Sequence, residues 1–151
     1  MSVGRICSRV VATAVPTETV RAAARRMAEH EVGTLVVISA DAEARALGVI
    51  TDRDITIRGV AEGIDVDKTP VSALMSTPVQ SINQATPIEQ ALARMSTTAT
   101  RRLVVTGDHD RPIGIISLDD VLELLAVEAG AIGRLLGRQK PEIAAGLSAW
   151  S

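Results

Sequence analysis

Two short stretches of the chain place a hydroxyl three residues before a carboxylate: Thr51-Asp52-Arg53-Asp54 and Ser117-Leu118-Asp119-Asp120. A carboxylate accepts hydrogen bonds from both hydroxyls of a cis-diol, so Asp54 and Asp120 are suited to hold a ribose. Each stretch lies where an apolar run gives way to a helical pattern, and the amides at a helix start favour a nearby anion. Arg53 and Arg101 add the forked donors that phosphate prefers.

The same spacing also has a purely structural explanation. A Thr or Ser followed three residues later by an acidic residue forms a capping box, in which the two side chains satisfy free amides at a helix start. A duplication copies helix caps as faithfully as it copies binding sites. Repetition of the motif therefore leaves both interpretations open.

Catalysis and metal binding find less support in the reactive side chains. Cys7 would need a histidine beside it to act as a nucleophile, and nothing in the spacing of His30 and His109 indicates one. The two aspartates of each motif suit magnesium beside a triphosphate, but they have no partner for acid–base chemistry. We therefore expect neither an enzyme nor an obligatory cofactor.

Both motifs belong to a longer unit that the chain contains twice. Shifting the sequence by 68 positions aligns residues 3–37 with 71–105, and nine of the thirty-five aligned pairs are identical. After a loop that is two residues shorter in the second copy, an offset of 66 aligns residues 48–55 with 114–121. Self-similarity of this kind is the signature of a repeat architecture.

Each copy predicts a strand, a helix, two further strands and a second helix. The first helix of each copy has apolar residues spaced for one buried face: Val20, Ala23, Ala24 and Met27, and then Ile88, Ala91, Leu92 and Met95. Two apolar runs follow each helix and predict the strands of a hairpin. The closing helices are expected from about residues 52 and 118.

These patterns divide the chain into four parts. We expect repeats over residues 3–62 and 71–127, joined by a linker at 63–70, because the stretch from Gly59 to Pro70 is rich in Gly, Asp and Pro. A helical extension or tail occupies residues 128–151, and its pattern predicts a helix end near Arg138.

The duplicated pattern resembles the CBS (cystathionine-β-synthase) domain, which occurs in pairs called Bateman modules. The resemblance rests on Val-x-x-Leu-Met-Ser and Gly-Ile-Ile-Ser-x-x-Asp in the second copy and their counterparts in the first, and it covers roughly residues 3–127. The stretch from Thr51 to Gly63 is similar to small stand-alone bacterial members. The resemblance implies an α+β fold of two βαββα repeats, packed through their sheets with pseudo-twofold symmetry. It also implies two related clefts and a homodimer.

Family members that bind a ligand usually take an adenosyl compound, so the resemblance implies AMP, ADP, ATP or a related ligand, with Mg²⁺ beside a triphosphate. In the family pattern the closing Asp, here Asp54 or Asp120, takes the ribose hydroxyls. The preceding hydroxyl, Thr51 or Ser117, contacts ribose or phosphate. Basic residues before the middle strand meet phosphates, and here they are Arg101-Arg102.

The first strand of each repeat usually flanks the adenine, which implies roles for residues 7–12, with Ala12, and for residues 75–82, with Gln80 and Ile82. In the first copy Gly33 and Thr34 replace the basic pair. Phosphate binding is therefore expected to be less symmetric than adenosine binding. The Asp54 cleft is the better candidate, because Thr51, Arg53 and Arg101 are expected to converge there.

Composition narrows the choice of partners. A net charge of −2, with sixteen basic and eighteen acidic side chains, gives no attraction to nucleic acid or anionic lipid. No apolar stretch approaches membrane-spanning length, and a single cysteine fits a reducing compartment, so we expect a cytoplasmic protein.

The main hypothesis is a nucleotide-sensing module that signals to an unidentified effector protein. The alternative is a ligand-free dimeric scaffold.

Overall fold

The computed structural model describes residues 1–9 and 11–148, with side chains through Arg138. The chain divides into two compact units, Met1–Ser117 and Leu118–Ser151. The first unit contains two three-stranded sheets, one from each sequence repeat. The second consists of a single long helix over its described residues.

The two sheets have the same topology. The first contains β1 (Thr13–Ala14), β2 (Thr34–Ile38) and β3 (Ala46–Thr51). The second contains β4 (Ser81–Asn83), β5 (Arg102–Thr106) and β6 (Pro112–Ser117). In each sheet the first strand lies parallel to the middle strand and the third lies antiparallel to it. The pairing register also shifts at equivalent places, after Val37 and after Val105.

The helices complete the predicted βαββα order of each repeat. Between the first two strands of the repeats lie α1 (Val20–His30) and α3 (Ile88–Thr98). The closing helices are α2 (Asp52–Asp54), which continues as a π-helical segment over Ile55–Val60, and α4 (Leu118–Ser148). On α1 the buried residues are Val20, Ala23 and Met27, and on α3 they are Ile88, Ala91 and Met95. The predicted α+β repeat fold is confirmed.

The C-terminal helix is longer than the sequence pattern predicts. We expected it to end near Arg138, but α4 continues to Ser148 and includes Pro141. Proline in a helix interior removes a backbone hydrogen bond and crowds the carbonyl four residues earlier, at a cost of about 3 kcal/mol, but α4 continues on both sides of Pro141. The prediction of the helix end was therefore wrong.

The first turn of each repeat packs on the other repeat. The amide of Val71 donates to the carbonyl of Glu18 at 2.7 Å, and Val71 and Leu74 are buried in the core of the first repeat. The equivalent bond in the second repeat joins the Val3 amide to the Thr86 carbonyl at 2.9 Å, and Val3 is fully buried. The two repeats thus exchange their leading segments.

A second pair of contacts joins a strand of each repeat to the segment that precedes the first strand of the other repeat. Val49 and Ser76 exchange two backbone hydrogen bonds of 3.1 and 2.8 Å, and Ser8 and Ile115 exchange two of 2.9 Å. The neighbouring Gly48 allows the first contact, because a Cβ there would lie 2.4 Å from the Ser76 carbonyl oxygen. These contacts fix the distance between the sheets, and hence the width of the space between them.

Candidate functional site

A cavity of about 290 Å³ lies between the two repeats. Its volume is close to the lower limit of small-molecule pockets, which is roughly 300 Å³. The lining residues come from both repeats: Thr34, Val49, Thr51, Asp54, Ser76, Pro78, Gln80, Thr100, Arg101, Arg102, Leu103, Val104 and Ile115. The cavity can therefore hold one ligand of nucleoside size in contact with both repeats.

The acidic side of the cavity is a complete helix cap. The Thr51 hydroxyl accepts a hydrogen bond from the Asp54 amide at 3.1 Å, and Asp54 Oδ2 accepts one from the Thr51 amide at 3.0 Å. This reciprocal pair ends β3 and starts α2, as the capping interpretation predicts. The Asp54 side chain remains 17% exposed, so the carboxylate caps the helix and also faces the cavity.

Arg58 holds the other oxygen of the same carboxylate. Its Nη2 donates to Asp54 Oδ1 at 2.6 Å and to the Ser76 hydroxyl at 3.1 Å. Arg58 lies one helical turn after Asp54, whereas Ser76 precedes the first strand of the second repeat. A single guanidinium group therefore joins the two repeats beside the cavity.

The opposite side of the cavity is basic. Arg101 and Arg102 line it at the start of β5, so its lining carries two guanidinium groups and one carboxylate. The equivalent start of β2 provides the neutral Thr34, which also lines the cavity. The excess of positive charge on one side favours a ligand whose anionic part lies near Arg101 and Arg102.

Apolar side chains form the remaining walls. Val49 on β3 and Ile115 on β6 are equivalent positions of the two repeats, and both line the cavity and are partly exposed. Leu103 and Val104 extend the apolar surface from the buried middle strand β5. Such a lining, with a few polar groups at its edge, is typical of a site for a flat heterocycle with polar substituents.

The structure brings together five of the eleven residues that the sequence predicts for a site: Thr51, Asp54, Gln80, Arg101 and Arg102. Three others lie away from this cavity. Arg53 is exposed on α2 and is not among the residues that line the cavity, so its expected convergence with Thr51 stays a prediction. Ala12 is buried in the core of the first repeat, and Ile82 is buried on β4.

The second motif occupies the end of β6 and the start of α4. Ser117 is the last residue of β6, and Asp119 and Asp120 lie in the first turn of α4. These residues belong to two different units of the chain. A nucleotide site formed by the second motif stays a prediction.

Arg58 was missed in the sequence prediction of the site, whereas Ser76 lies within the range 75–82 that the family resemblance implies beside the adenine. Arg58 follows Asp54 by four residues, the spacing at which opposite charges pair on a helix, so this signal was present in the sequence. Ser76 is one of the identical pairs of the repeat alignment, but its contact with Arg58 depends on how the repeats pack. No sequence spacing could reveal that contact.

Two further classes of site find no support over the described ranges, residues 1–9 and 11–148. None of their His, Cys, Asp and Glu side chains form a group of three or more placed to hold a metal ion. None of the helices there combines the length and apolar character needed to cross a bilayer.

Comparison with known proteins agrees with the repeat architecture. The CBS domain family model matches residues 3–58 and again residues 71–127. Among relatives, the CBS domain-containing protein YhcV of Bacillus subtilis is 38% identical over 111 residues, which cover 74% of this chain and 76% of YhcV. The uncharacterized protein MK0525 of Methanopyrus kandleri is 33% identical over 124 residues, and these span 82% of this chain but only 62% of MK0525.

Solved structures show the same fold. The crystal structure of Hypoxic Response Protein I with two coordinated zinc ions has a TM-score of 0.70 and 30% identity, over 82% of this chain and 98% of that one. The CBS domain pair of MJ0100, in complex with 5′-methylthioadenosine and S-adenosyl-L-methionine, has a TM-score of 0.72 and 23% identity, over 85% and 98% of the two chains. Two matches to the CBS domain model, which together cover more than half of the chain, and a relative that is 38% identical show that this chain belongs to the CBS domain family, as a tandem pair.

Proposed function

We propose that this CBS pair binds an adenosine-containing ligand in the cavity at Asp54 and transmits its occupancy to a partner protein in the cytoplasm. The proposal rests on one observation. A single cavity combines a carboxylate for a cis-diol, apolar walls for a base and guanidinium groups for phosphates. AMP, ADP, ATP and S-adenosyl compounds share the adenosine part that the first two features suit.

The helix cap leaves Asp54 able to bind a ribose. A carboxylate has about four acceptor positions, and the cap and Arg58 each use one of them. Arg58 follows Asp54 by four residues, which is about one helical turn, and the Arg58 side chain is 45% exposed. Exposed pairs of this spacing contribute only about 0.3–0.5 kcal/mol. The Asp54 carboxylate is mostly buried, so a ribose that displaces Arg58 has to replace its hydrogen bond to this carboxylate. The displaced guanidinium can then turn towards a phosphate.

The cavity also suggests how occupancy becomes a signal. Its walls come from β3 of the first repeat and from β5 and β6 of the second, so a bound ligand contacts both sheets. A ligand shifts a conformational equilibrium only when it binds one arrangement better than another. A ligand that bridges Val49 and Ile115 favours the arrangement of the two repeats in which it can contact both side chains at once.

Calorimetric titration tests the proposal with AMP, ADP, ATP, S-adenosyl-L-methionine and 5′-methylthioadenosine, with Mg²⁺ added to the ATP sample. We expect at least one of them to bind the wild-type chain with one ligand in the Asp54 cavity. The variant Asp54→Asn keeps the size of the side chain but removes its charge, and we expect a large loss of affinity. Asp52→Asn is the matched control in the samples without Mg²⁺, because Asp52 lies on the same turn and does not line the cavity.

Three results would contradict nucleotide sensing. They are a flat titration of the wild-type chain at millimolar ligand, equal affinity of wild type and Asp54→Asn, and turnover of the nucleotide instead of release of unchanged ligand. The first result would favour the ligand-free scaffold. That alternative has one observation in its favour, because the Thr51–Asp54 cap is complete without any ligand.

A further inference from the structure

Each repeat has a cavity beside its first strand, separate from the cavity at Asp54. The volumes are about 640 Å³ in the first repeat and 660 Å³ in the second. Six lining positions are equivalent at the offset of 68 residues: 13, 14, 15, 18, 26 and 30 in the first repeat, and 81, 82, 83, 86, 94 and 98 in the second. We call these two spaces the outer cavities. They share no lining residue with the cavity at Asp54.

The chain occupies the outer cavity of the first repeat with its own ion pair. Arg26 Nη1 donates to Glu18 Oε2 at 2.8 Å, and Arg26 Nη2 donates to Glu18 Oε1. The same carboxylate accepts a hydrogen bond from the Val15 amide at 2.9 Å, and Arg26 Nη1 also donates to the Thr13 carbonyl at 2.7 Å. A carboxylate in this cavity is therefore held by a guanidinium group and by one backbone amide at the end of β1.

The outer cavity of the second repeat keeps the arginine and lacks the carboxylate. Arg94 is the residue equivalent to Arg26, whereas Thr86 stands where the first repeat has Glu18. Over the described ranges of the chain, the Arg94 guanidinium group has neither an ion pair nor a hydrogen bond. The substitution of one residue has therefore removed the internal anion and left the cation that paired with it.

The backbone of β4 offers the same outward amide as the first repeat. The Gln80 carbonyl accepts from the Val104 amide at 2.9 Å, and the Gln84 amide donates to the Thr106 carbonyl at 2.9 Å, so these residues direct their groups towards β5. Alternate residues of a strand direct their hydrogen-bonding groups to opposite edges, so the Asn83 amide faces away from β5. Both groups that hold the carboxylate in the first repeat therefore have counterparts in the second.

We propose that the outer cavity of the second repeat is a binding site for a carboxylate group, held by Arg94 and the Asn83 amide. The Glu18 carboxylate of the first repeat is the internal counterpart of this ligand. A planar carboxylate pairs with a guanidinium group through two parallel hydrogen bonds, which a compact anion such as chloride does not form. Ser81 and Thr86 add hydroxyl groups to the lining, and the volume suits a small molecule. This site is independent of the adenosine site.

One acidic residue, Asp110, also lines this cavity. Within the described part of the chain it forms no ion pair with Arg94, so the guanidinium group is not neutralised by a direct contact. The negative charge of Asp110 nevertheless repels an anionic ligand. We therefore expect Asp110→Asn to bind a carboxylate more tightly than the wild type does.

An NMR titration of the isotope-labelled full chain with sodium glutarate tests the site, against sodium chloride at equal ionic strength. We expect glutarate to shift the amide resonance of Asn83 in a saturable way. Arg94→Gln should weaken binding roughly tenfold or more, because the ligand loses charge-assisted hydrogen bonds. Arg25→Gln is the matched control, since Arg25 is exposed and lines neither outer cavity. We expect this control to bind glutarate like the wild type.

Exchanging residues between the repeats tests the same site without removing the arginine. Thr86→Glu gives the second repeat its own carboxylate, so we expect it to abolish glutarate binding there. Glu18→Thr removes the carboxylate from the first repeat and should create a second binding site at Arg26. Circular dichroism verifies that each variant is folded.

A blocked pentapeptide with a central Glu, compared with its Gln counterpart, distinguishes two sources of the carboxylate. Tighter binding of the Glu peptide than of glutarate assigns the site to an acidic side chain of a partner protein, and the reverse order assigns it to a small carboxylate metabolite. Either result supports a carboxylate site. The proposal is overturned if neither probe shifts the Asn83 resonance at tens of millimolar, or if Arg94→Gln or Thr86→Glu binds glutarate like the wild type.

Discussion

Arg58 and Asp54 form an ion pair of 2.6 Å at the edge of the inter-repeat cavity, and the same guanidinium group also reaches Ser76 at 3.1 Å. The pair occupies the carboxylate oxygen that a ribose would use. A ribose that displaces Arg58 from this oxygen therefore rearranges a contact between the two repeats.

Arg58→Ala should separate the recognition of adenosine from that of phosphate. Without Arg58, the carboxylate of Asp54 keeps its acceptor position for the ribose, so adenosine should bind at least as well as to the wild type. AMP should lose a charge-assisted hydrogen bond and bind roughly tenfold or more weakly. Paired calorimetric titrations with adenosine and AMP measure both effects. Arg53→Ala serves as the control, because Arg53 is exposed outside the cavity, and equal behaviour of the two variants would contradict the prediction.

Thr51→Ala should destabilise the chain by about 1 kcal/mol, because the Asp54 amide loses the hydroxyl that accepts its hydrogen bond. Thr51→Ser keeps an oxygen at the same place and should retain most of the stability. Urea denaturation of the three proteins gives the free energies of unfolding. A Thr51→Ala variant as stable as wild type would mean that the cap has no energetic role.

Gly48→Ala should destabilise the chain by about 1–3 kcal/mol, because the new Cβ would lie 2.4 Å from the backbone oxygen of Ser76. Strand β3 and the segment at Ser76 must separate to make room, so the ligand affinity should fall together with the stability. Gly137→Ala is the control, and its effect on stability should have the opposite sign. A Cβ there meets no atom within 4 Å, and the change should stabilise α4 by up to about 1 kcal/mol. Equal stability of Gly48→Ala and wild type would show that the sheets adjust freely.

The ion pair of Glu18 with Arg26 should contribute stability that depends on pH. The Arg26 hydrogen bond holds the pKa of Glu18 below its ordinary value of 4.5. A lowered folded-state pKa means that the contribution is complete above the unfolded-state pKa and is lost as pH falls through the folded-state value. We expect Glu18→Gln to be less stable than wild type by about 1 kcal/mol at neutral pH, with the difference vanishing in acid.

Thermal or denaturant unfolding from neutral pH down to acid measures the difference in stability between Glu18→Gln and the wild type. The second repeat has no such pair, because Thr86 occupies the position equivalent to Glu18 beside the matched residue Arg94. Glu62→Gln is a suitable control, since Glu62 is exposed. A difference between Glu18→Gln and wild type that persists unchanged in acid would contradict the assignment.

The sequence contained enough information to predict the fold, because each element of the first repeat has a counterpart in the second. Val20, Ala23 and Met27 recur one repeat later, and both sets are buried on their helices. The end of α4 was predicted too early, since Pro141 was given more weight than the helix-forming residues around it. Propensity alone does not decide whether a helix continues past one proline.

The candidate site was predicted only in part. Asp54 and Thr51 could be found because the capping box is a local pattern. The contact of Arg58 with Ser76 joins residues from different repeats, and only the packing of the sheets brings them together. Arg53 does not line the cavity although it is adjacent to Asp54, since neighbouring helical positions point about 100° apart. A role for Arg53 in binding phosphate stays a prediction.

The two repeats exchange their leading segments, so the chain cannot be cut into two halves that fold independently. Val3 completes the second repeat and Val71 completes the first, so neither half contains its whole core. Half-length fragments made separately should be poorly folded and should regain structure only when mixed, as complementing fragments do. The full chain should accordingly unfold in one transition. A lone repeat could satisfy the same contacts by trading its first turn with an identical chain, which is the arrangement expected if the tandem pair descends from an obligate dimer.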